Sequence, residues 1–557
     1  MKPHDLAVKE IASRVRSLYS KGEPFRIYHG STNSTRKPSL KENHVDMSRL
    51  NHVLKVDRNT RTALVEPNVP MDRLVQTTLQ YGLVPPVVME FPGITAGGGY
   101  AGTSGESSSF RHGFFDRTLN WVEMVLADGE VVKVSESERK DLFRGGAGAV
   151  GSLGVVTLVE LNLLEAKEYV EVTYHRTNSS KEAIELTYEL SKDPAANDLD
   201  YVDGILYNHS HGVVVTGKMV SKPLPSMPLV EFVRPNDPWY YLHAKEMTSD
   251  PTSQPYKFAT TLPSYLFRYN RGTFWVARSM FRYFFFVPFN RLMRWFLDDF
   301  LRPRMAYRSL HASGQGKHII VQDCAVPFNH AHQGKQGSPT AVAEEFLEWM
   351  NGSEKTNNIG AMNIWPLWLC PVKVDTFTAG SERGSFHPHL LRPQGATDAT
   401  NDKGVMLNVG VWGIPHEETT GWRKDLDFRK LNRTLEDKVH ELQGQKWLYA
   451  HTHYEKGEFA DMYRSTEWYD ALREKYSATS LPTVYDKVSR NNRSDTGGAY
   501  RRFKDLILET WPLGGIYGIW KGIWSFDWRL ERAQSWMWKS NWREIVRQNG
   551  QKGLKEE

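Results

Sequence analysis

A bare stretch of main chain constrains the fold of this protein more than any other feature of its sequence. Residues Glu90 to Gly113 read EFPGITAGGGYAGTSGESSSFRHG and include seven glycines and six Ser or Thr residues. Almost no large aliphatic side chain is present. Because glycine accepts positive φ angles and lets other atoms approach the backbone, we expect another group to lie against this segment at close range.

The group that fits this stretch best is a pyrophosphate. Successive backbone N–H groups of a glycine loop can converge on one anion, and Ser and Thr hydroxyls add further donors. A second loop of this kind, HGSTNST at 29–35, precedes the first, and a pyrophosphate has enough oxygens to contact both. The Rossmann alternative is disfavoured, because Gly97-Gly98-Gly99 does not sit in a βαβ unit. The remaining alternative is that both are ordinary surface loops.

Composition disfavours several classes of function. The formal net charge of +5 over 557 residues gives no reason to expect nucleic-acid binding. The two cysteines, Cys324 and Cys370, form no metal-binding pattern, so we expect no metal site and a reducing compartment. The N-terminus lacks the apolar core of a secretory signal. No stretch of about 18 residues is free of charge, which argues against a conventional transmembrane helix.

Hydrophobic periodicity predicts an α+β chain. We expect a helix over 4–21, a second helix from Met71 to Gly82, and a β-hairpin around Asp128-Gly129. The run GSLGVVTLVELNLLEA indicates a buried strand. A second α+β region is expected from residue 166, and 491–503 is expected to be a linker before a Trp-rich tail. We therefore divide the chain into 1–165, 166–490 and 491–557.

Two stretches combine aromatic with basic side chains. Arg278 to Arg304 reads RSMFRYFFFVPFNRLMRWFLDDFLRPR, and Trp520, Trp524 and Trp528 follow one another at intervals of four residues. Both patterns suit an amphipathic element at a membrane interface. The alternative is that each stretch packs on the protein's own core while its basic side chains extend to solvent.

Several motifs resemble the FAD-binding domain of the vanillyl-alcohol oxidase/p-cresol methylhydroxylase superfamily. Besides the two glycine loops, these motifs are DMSRL at 46–50, VEPNV at 65–69 and GSLGVV at 151–156. The resemblance covers residues 1–165. It implies an α+β protein with a two-subdomain FAD-binding domain, followed by an α+β substrate or cap domain. To these the sequence adds a helical Trp-rich C-terminal extension, which the resemblance does not imply.

Further motifs narrow the resemblance to the Δ24-sterol reductases, the diminuto or 24-dehydrocholesterol reductase family. They are TAGG at 95–98, GTSGESSS at 102–109, VQD at 321–323, WPLWLCP at 365–371, KWLYA at 446–450 and PTVYDKV at 482–488. The family resemblance implies FAD bound between the N-terminal and cap domains. It also implies NADPH-dependent reduction of a sterol side-chain double bond at an endoplasmic-reticulum membrane.

The resemblance also assigns the cofactor contacts. The residues expected to contact FAD are Gly30, Ser31, Thr32, Asn33, Ser34, Thr35, Pro92, Gly93, Thr95, Ala96, Gly97, Gly98, Gly99, Ala101, Gly102, Thr103, Ser104, Gly105, Glu106, Ser107, Ser108, Gly154, Val155 and Val156. Many superfamily members attach FAD covalently through a histidine of the first loop. Ser31 occupies that position here and His29 lies two residues earlier, so we expect non-covalent FAD. No separate Rossmann motif indicates an NADPH site.

Alkene reduction also needs a proton. An isolated alkene is poorly electrophilic, so a strong acid has to protonate one carbon as the hydride reaches the other. The candidate acids are His453, Tyr454, Lys373 and Asp323, with His451, Glu458 and Glu106 as further candidates. If 447–454 is a strand, His451 and His453 share one face. Each of these residues could equally be a surface or a hydrogen-bonded core residue.

A sterol substrate would need an apolar pocket and access to a membrane. Trp365, Trp368 and Trp412 could line such a pocket, with core packing as the alternative. Animal and plant family members carry an apolar N-terminal anchor that this sequence does not show. We therefore expect a peripheral protein on the cytoplasmic side of the endoplasmic reticulum, held at the membrane surface by 278–304 and 504–545, and otherwise a cytoplasmic one.

Three functions compete at this point. The first is an FAD- and NADPH-dependent sterol reductase. The second is a superfamily oxidase that uses oxygen to oxidise an alcohol or a secondary metabolite. The third is a non-enzymatic sterol-binding or scaffold protein that FAD stabilises. The motifs after residue 320 favour the first.

Overall fold

A computed structural model gives the structure of residues 3–30, 43–102, 104–329, 338–353, 358–374, 386, 404–416, 426–463, 465–490, 508, 510–533, 535–539 and 541–553. The linker expected at 491–503 lies outside these residues. Two antiparallel sheets, one of five strands and one of eight, organise the described chain. The predicted α+β class is confirmed.

The five-stranded sheet lies in the N-terminal region. In spatial order its strands are Val53–Asp57, Thr62–Val65, Gly154–Asn162, Leu119–Leu126 and Val131–Ser135. The predicted buried strand is the central one, and its residues 154–159 are all buried. The predicted hairpin is also present. It turns at Gly129, whose φ of 90° is accessible to glycine without strain.

Helices and short strands complete this region. The amphipathic helix expected at 4–21 is Pro3–Tyr19, which buries Ile11, Val15 and Leu18. The helix expected from Met71 is Met71–Leu79. The remaining elements are the parallel pair Phe25–Tyr28 and Asn43–Asp46, the antiparallel pair Leu83–Val84 and Leu164–Glu165, the helices Ala96–Ala101, Ser109–His112 and Lys140–Gly146, and the 3-10 turn Phe115–Thr118.

The eight-stranded sheet dominates the rest of the chain. In spatial order its strands are Tyr256–Thr261, Tyr169–Thr177, His211–Val220, Tyr201–Asn208, Leu367–Lys373, Val405–Gly413, Ile320–Pro327 and Gln445–Lys446. Successive side chains of a strand point to opposite faces. One face packs in a core with the helices Ser180–Ser191, Ala341–Asn351 and Phe428–Glu441.

The opposite face of this sheet joins the core of the N-terminal region. Trp368, Cys370 and Trp412 on this face belong to the same buried apolar cluster as Val65 and Val122 of the five-stranded sheet. The two sheets therefore share one continuous hydrophobic core. Polar side chains on this face of the larger sheet therefore lie on the side of the sheet that meets the glycine segment.

Shorter elements surround the eight-stranded sheet. They are the α-helices Tyr240–Met247, Leu262–Leu266, Ala277–Tyr283, Arg291–Phe296, Pro303–Ser313, Lys456–Tyr463, Ser465–Lys475 and Val484–Val488, the 3-10 turns Asp298–Phe300, Gln315–His318 and Ala478–Ser480, and the strand pair Gly352–Ser353 and Asn358–Ile359. Within the described ranges, no helix combines the length and the apolar character needed to cross a bilayer.

The C-terminal extension is helical, with helices at Leu513–Trp524, Trp528–Ala533, Trp536–Lys539 and Trp542–Gly553. The last helix buries Trp542 and packs against the helix Met71–Leu79 of the N-terminal region. Its Arg547 Nη2 donates to Glu168 Oε1 at 2.8 Å, directly before the first strand of the larger sheet. The last helix therefore connects both regions.

Residues 447–454 do not form the strand in which His451 and His453 would share one face. This segment curves around the Glu436 carboxylate, which accepts hydrogen bonds from the Thr452 hydroxyl at 3.1 Å and from the His453 N–H at 2.9 Å. The Glu436 carboxylate therefore satisfies the His453 N–H, which pairing with a neighbouring strand would otherwise do. The alternation expected for His451 and His453 therefore does not apply.

His4 connects the first helix to the five-stranded sheet through two glutamates. Its Nδ1 lies 2.8 Å from Glu66 Oε1, and its Nε2 lies 3.3 Å from Glu123 Oε1. Hydrogen bonds with Glu123 and Glu66 raise the pKa of His4 to about 9. Because the folded pKa exceeds the unfolded value of about 6.5, the stabilisation is complete below pH ~6.5 and is lost as the pH rises through about 9.

We therefore expect His4→Gln to lower the free energy of unfolding by about 1–3 kcal/mol near pH ~6 and by much less near pH ~10. Urea denaturation at the two pH values measures the difference. His440→Gln, which replaces an exposed histidine, is the matched control. An equal loss of stability at both pH values would contradict the role assigned to the His4 charge.

Candidate active site

The glycine segment contains a short helix, Ala96–Ala101, that begins after Thr95. The Thr95 hydroxyl accepts a hydrogen bond from the Gly98 N–H at 3.2 Å. This is the usual way in which a threonine satisfies a free donor at the start of a helix. The segment is therefore a structured turn with fixed backbone positions.

Close packing explains two of the three consecutive glycines. A Cβ on Gly97 would lie 2.6 Å from the Pro67 Cβ, and a Cβ on Gly99 would lie 2.7 Å from the Phe115 ring. These positions are bare because the protein packs against itself there. Gly98 is exposed, so it is the one of the three that leaves backbone open to a ligand.

Gly30, the last described residue of the loop at 29–35, is linked to the glycine segment through residues 48 and 67–68. A Cβ on Gly30 would lie 3.9 Å from the Ser48 Cβ, and the Ser48 carbonyl accepts a hydrogen bond from Asn68 Nδ2 at 3.3 Å. The neighbouring Pro67 carbonyl accepts from the Gly97 N–H at 2.8 Å. The expected cofactor contacts outside the described residues are Ser31–Thr35 and Thr103.

A third loop, at Val150-Gly151, contacts the glycine segment and the ammonium group of Lys487. The Val150 N–H donates to the Ala101 carbonyl at 3.0 Å. The Lys487 ammonium donates to the Val150 carbonyl at 3.2 Å and to the Gly151 carbonyl at 2.8 Å. The sequence analysis did not assign a role to Lys487, although the motif PTVYDKV that contains it was one of the signals for the family.

The surface formed by these loops fits a dinucleotide. Between residues 97 and 105, the described positions that are exposed or half-exposed carry only hydrogen, methyl or hydroxymethyl side chains: Gly97, Gly98, Ala101, Gly102, Ser104 and Gly105. Small side chains allow close approach, and backbone N–H groups with hydroxyl donors suit an anionic group. The chemistry of this donor set is compatible with the pyrophosphate of FAD.

The end of the glycine segment contacts the eight-stranded sheet. The Ser107 carbonyl accepts a hydrogen bond from the Val202 N–H at 2.8 Å. Beside it, Arg268 Nη2 lies 2.9 Å from Asp203 Oδ2, and Arg268 Nη1 lies 3.7 Å from Glu106 Oε1. All three of these charged side chains are buried. A single guanidinium therefore serves one carboxylate from each region.

Four carboxyl groups converge beside this contact, and we call them the carboxyl cluster: Glu90, Glu106, Asp203 and Asp323. After burial, the charge of each member raises the pKa of the Cys370 thiol, which lies among them. Burial raises the pKa of Glu106 to about 7, although Arg268 opposes the shift. Burial and then the charge of Glu106 raise the pKa of Glu90 well above its usual value. The cluster therefore holds protons at neutral pH.

Asp323 is oriented by two polar side chains. Tyr449 donates its hydroxyl proton to Asp323 Oδ2, and Asn408 Nδ2 donates to Asp323 Oδ1 at 2.9 Å. The Tyr449 hydroxyl in turn lies 3.3 Å from Trp412 Nε1. Burial raises the pKa of Asp323 to about 6. A buried carboxyl that titrates near neutrality has the properties of a general acid.

The helix Pro303–Ser313 adds a phenol to this cluster. Burial, and then the charges of Glu90 and Asp323, raise the pKa of Tyr307. The Tyr307 hydroxyl therefore lies close to both carboxyl groups. Sequence analysis missed Glu90, Tyr307, Asp203 and Arg268 as site residues, because no local motif connects them.

An aromatic wall adjoins the cluster. The Phe274 ring centroid lies 4.3 Å from that of Trp412, 5.5 Å from that of Trp368 and 5.6 Å from that of Phe91. Phe91 belongs to the glycine segment. Trp365 packs elsewhere, with its ring 4.9 Å from His209. Two of the three tryptophans considered for a substrate pocket are therefore beside the carboxyl cluster.

The other candidate acids lie in different surroundings. Lys373 is exposed at the end of its strand. Burial lowers the pKa of His453 to about 3, so this imidazole is neutral, and the Tyr454 hydroxyl donates to the Glu436 carbonyl at 2.8 Å. Of the candidates, the structure brings together Asp323 and Glu106. Among the described residues, no group of His, Cys, Asp and Glu side chains is arranged to hold a metal ion.

The sequence is similar to those of known FAD-binding proteins. Residues 7–135 match a sequence family described as an FAD binding domain. The Delta(24)-sterol reductase of Homo sapiens is 27% identical over 506 residues, covering 88% of this chain and 87% of that protein. The Delta(24)-sterol reductase of Arabidopsis thaliana is 26% identical over 541 residues, covering 91% and 88%.

The predicted FAD-binding domain is confirmed by the family match. The similarity to the Δ24-sterol reductases is also confirmed, and it runs through both sheets. The chain is accordingly an FAD-dependent oxidoreductase. The contacts of individual residues with the cofactor stay predictions.

The two kinds of glycine give a test of the cofactor surface. Gly97→Ala places a Cβ against Pro67, an overpacking that costs typically about 1–3 kcal/mol, whereas a Cβ on Gly98 meets only the Thr95 hydroxyl at 3.1 Å. We expect both variants to bind FAD more weakly, measured by flavin titration. Only Gly97→Ala should lower the thermal stability of the flavin-free protein.

Gly457→Ala is the control for this pair, because a Cβ there would meet no atom within 4 Å. Unchanged FAD affinity in Gly98→Ala would show that the exposed backbone near residue 98 does not contact the cofactor.

Proposed function

We propose that this chain, a relative of the Δ24-sterol reductases with an FAD-binding domain, reduces a carbon–carbon double bond in a sterol side chain and takes its electrons from NADPH. The main support is the carboxyl cluster beside the glycine segment, where the pKa values of Asp323 and Glu106 are about 6 and about 7. Hydride addition to an isolated alkene requires a proton at the second carbon, and a buried acid near the cofactor surface can supply it.

FAD is proposed to bind without a covalent link, since Ser31 occupies the position at which related proteins carry a histidine. The residues assigned to it in the sequence analysis are retained, and Gly98, Gly102 and Ser104 offer exposed or half-exposed surface. When bound, FAD supplies the hydride transfer. The chain's own contribution is to hold the pyrophosphate on backbone donors and to exclude water from the reacting carbons.

Asp323 is the proposed source of the proton. Burial favours its protonated form, and its contacts with Tyr449 and Asn408 fix the direction in which its oxygens point. Tyr449 is a positioning residue in this proposal. Lys373, His453 and Tyr454 are not retained as acids. The Tyr454 hydroxyl and the His453 N–H both donate to Glu436, and Lys373 is exposed.

The aromatic wall is the proposed contact for the sterol side chain. The rings of Phe91, Phe274, Trp368 and Trp412 pack against one another next to Asp323 and the glycine segment. A mostly apolar wall with a few convergent polar groups is the usual composition of a small-molecule site. The wall would position the alkene carbon that accepts the proton.

The proposal retains the division into an FAD-binding domain at 1–165, a substrate domain at 166–490 and an extension at 491–557. The last long strand of the smaller sheet ends at Asn162, and the first strand of the larger sheet begins at Tyr169, which supports a boundary between them. The proposed location is the cytoplasmic surface of the endoplasmic reticulum.

The reaction is tested by anaerobic addition of NADPH to the yellow protein, while the flavin absorption near ~450 nm is followed. We expect the band to bleach with NADPH and to return when a sterol with an unsaturated side chain, desmosterol, is added. An oxidase would instead turn over with oxygen and without NADPH. A non-enzymatic flavoprotein would show neither bleaching nor turnover, and either result would refute the proposal.

The role of Asp323 is tested by Asp323→Asn. We expect the sterol-dependent return of the flavin band to slow by about 10²–10⁴-fold, while bleaching by NADPH is unchanged. In the unaltered protein the sterol step should slow as the pH rises above about 6, because the carboxyl then loses its proton. Asp198→Asn, which alters an exposed carboxylate, is the matched control. Equal slowing of both steps would indicate a structural role.

A further inference from the structure

Exposed apolar side chains are concentrated in one part of the molecule. Thirteen of the 21 large hydrophobic side chains that are exposed in the described chain lie in 285–296 and 511–530. We call this set the aromatic face: Phe285, Phe286, Leu292, Trp295, Phe296, Trp511, Leu513, Ile516, Trp520, Ile523, Trp524, Phe526 and Leu530. Contiguous exposed apolar surface of this kind marks an interaction site.

The two segments form one surface although more than 200 residues separate them in sequence. The Phe285 and Trp511 rings are stacked with centroids 5.3 Å apart, and Trp511 Nε1 donates to the Tyr283 carbonyl at 2.8 Å. At another point, Arg532 Nε donates to Asp299 Oδ2 at 2.9 Å. These contacts hold the tail against the 278–304 stretch.

The helix Leu513–Trp524 shows which of its sides faces the protein. A Cβ on Gly518 would lie 2.6 Å from the Ser309 carbonyl, and a Cβ on Gly522 would lie 3.0 Å from the Ser309 hydroxyl. The glycine side therefore packs on the helix Pro303–Ser313. Trp520 and Trp524 point away and are 47% and 62% exposed.

Core packing accounts for only part of the two stretches. Phe281 and Tyr283 at the start of the first stretch are buried, as are Trp536 and Trp542 near the end of the chain. Phe289 also packs against the core, whereas the aromatic side chains of the aromatic face are exposed. The residues that are free to face a membrane are therefore fewer than those of the full ranges 278–304 and 504–545.

The charge around the aromatic face is positive. Residues 278–304 and 510–533 contain nine Lys or Arg and four Asp or Glu, an excess equal to the net charge of +5 of the whole chain. All four acids are engaged by arginines, in the pairs Asp298–Arg302, Asp299–Arg532, Asp527–Arg308 and Glu531–Arg304. Lys521 lies 5.0 Å from the Trp520 ring centroid, and Arg529 lies 4.9 Å from that of Phe526. Cations are therefore interleaved with the exposed rings.

We propose that the aromatic face binds the surface of an anionic phospholipid bilayer. Tryptophan rings are most stable at the level of lipid headgroups, and basic side chains beside them attract acidic lipids. A protein partner would account for the rings, but it would not explain why the excess positive charge of the chain is collected around them. A bilayer explains both features.

The position of the face also suggests how a membrane-dissolved substrate reaches the site. The helix Pro303–Ser313 packs on the Trp-rich helix through Ser309, and it carries Tyr307 next to Glu90 and Asp323. One helix therefore separates the proposed lipid surface from the carboxyl cluster. This route rests on the proposed sterol reduction, whereas lipid binding itself does not.

The proposal is tested by co-sedimentation of the full-length holoprotein with phosphatidylcholine vesicles that contain or lack phosphatidylserine. We expect binding only to the anionic vesicles and release by salt. Trp520→Ser/Trp524→Ser should weaken this binding about tenfold or more. The matched control is Leu224→Ser/Leu229→Ser, because these side chains are 57% and 56% exposed at a distant point in the sequence.

Absence of vesicle binding by the unaltered protein would overturn the proposal, and so would equal weakening in both double variants. A shift of the tryptophan variant from oligomer to monomer, without vesicle binding, would identify a protein interface instead. With desmosterol as substrate, the tryptophan variant should be slower on vesicle-embedded sterol and unchanged on detergent-dispersed sterol. If neither form is reduced, the proposed function fails, while the vesicle assay still decides the lipid surface.

Discussion

One buried guanidinium holds the two halves of the site together. Arg268 lies between Glu106 of the glycine segment and Asp203 of the larger sheet, and the Tyr265 ring centroid is 4.1 Å from its Cζ. A buried carboxylate without a partner is costly, and one cation cannot fully compensate two of them. Burial, to which the charge of Asp203 adds, outweighs the opposing effect of Arg268 and raises the pKa of Glu106 to about 7. The contact that joins the glycine segment to the larger sheet therefore also limits how far the pKa of Glu106 rises.

Local patterns in the sequence correctly predicted the helices and strands that have a periodic buried face. The helix Pro3–Tyr19, the hairpin at Gly129 and the central strand Gly154–Asn162 were all expected, because periodicity and turn residues depend on neighbouring positions. The glycine-rich segment was expected to be exposed to a ligand along its length. Gly97 and Gly99 instead accommodate Pro67 and Phe115, partners that no short-range pattern could reveal.

The active-site chemistry was less accessible from the sequence, because it is assembled from distant segments. Asp323 faces Gly410 across the ladder of the larger sheet, and this register brings Asn408 and Trp412 of the same neighbouring strand to Asp323 and Tyr449. Glu90 reaches the same place from the other region. Asp323 was singled out because it ends a strand that looked buried and belongs to the motif VQD, and Tyr449 only as part of the motif KWLYA. Charge and hydrogen bonding between strands leave no periodic signal in either strand.

The last helix has a consequence for how the molecule can move. Trp542–Gly553 packs against the helix Met71–Leu79 of the N-terminal region. Its Arg547 also donates to Glu168, directly before the larger sheet, so the last helix contacts both regions where the chain passes between them. A wide hinge opening between the two regions would have to break both of these contacts of the last helix.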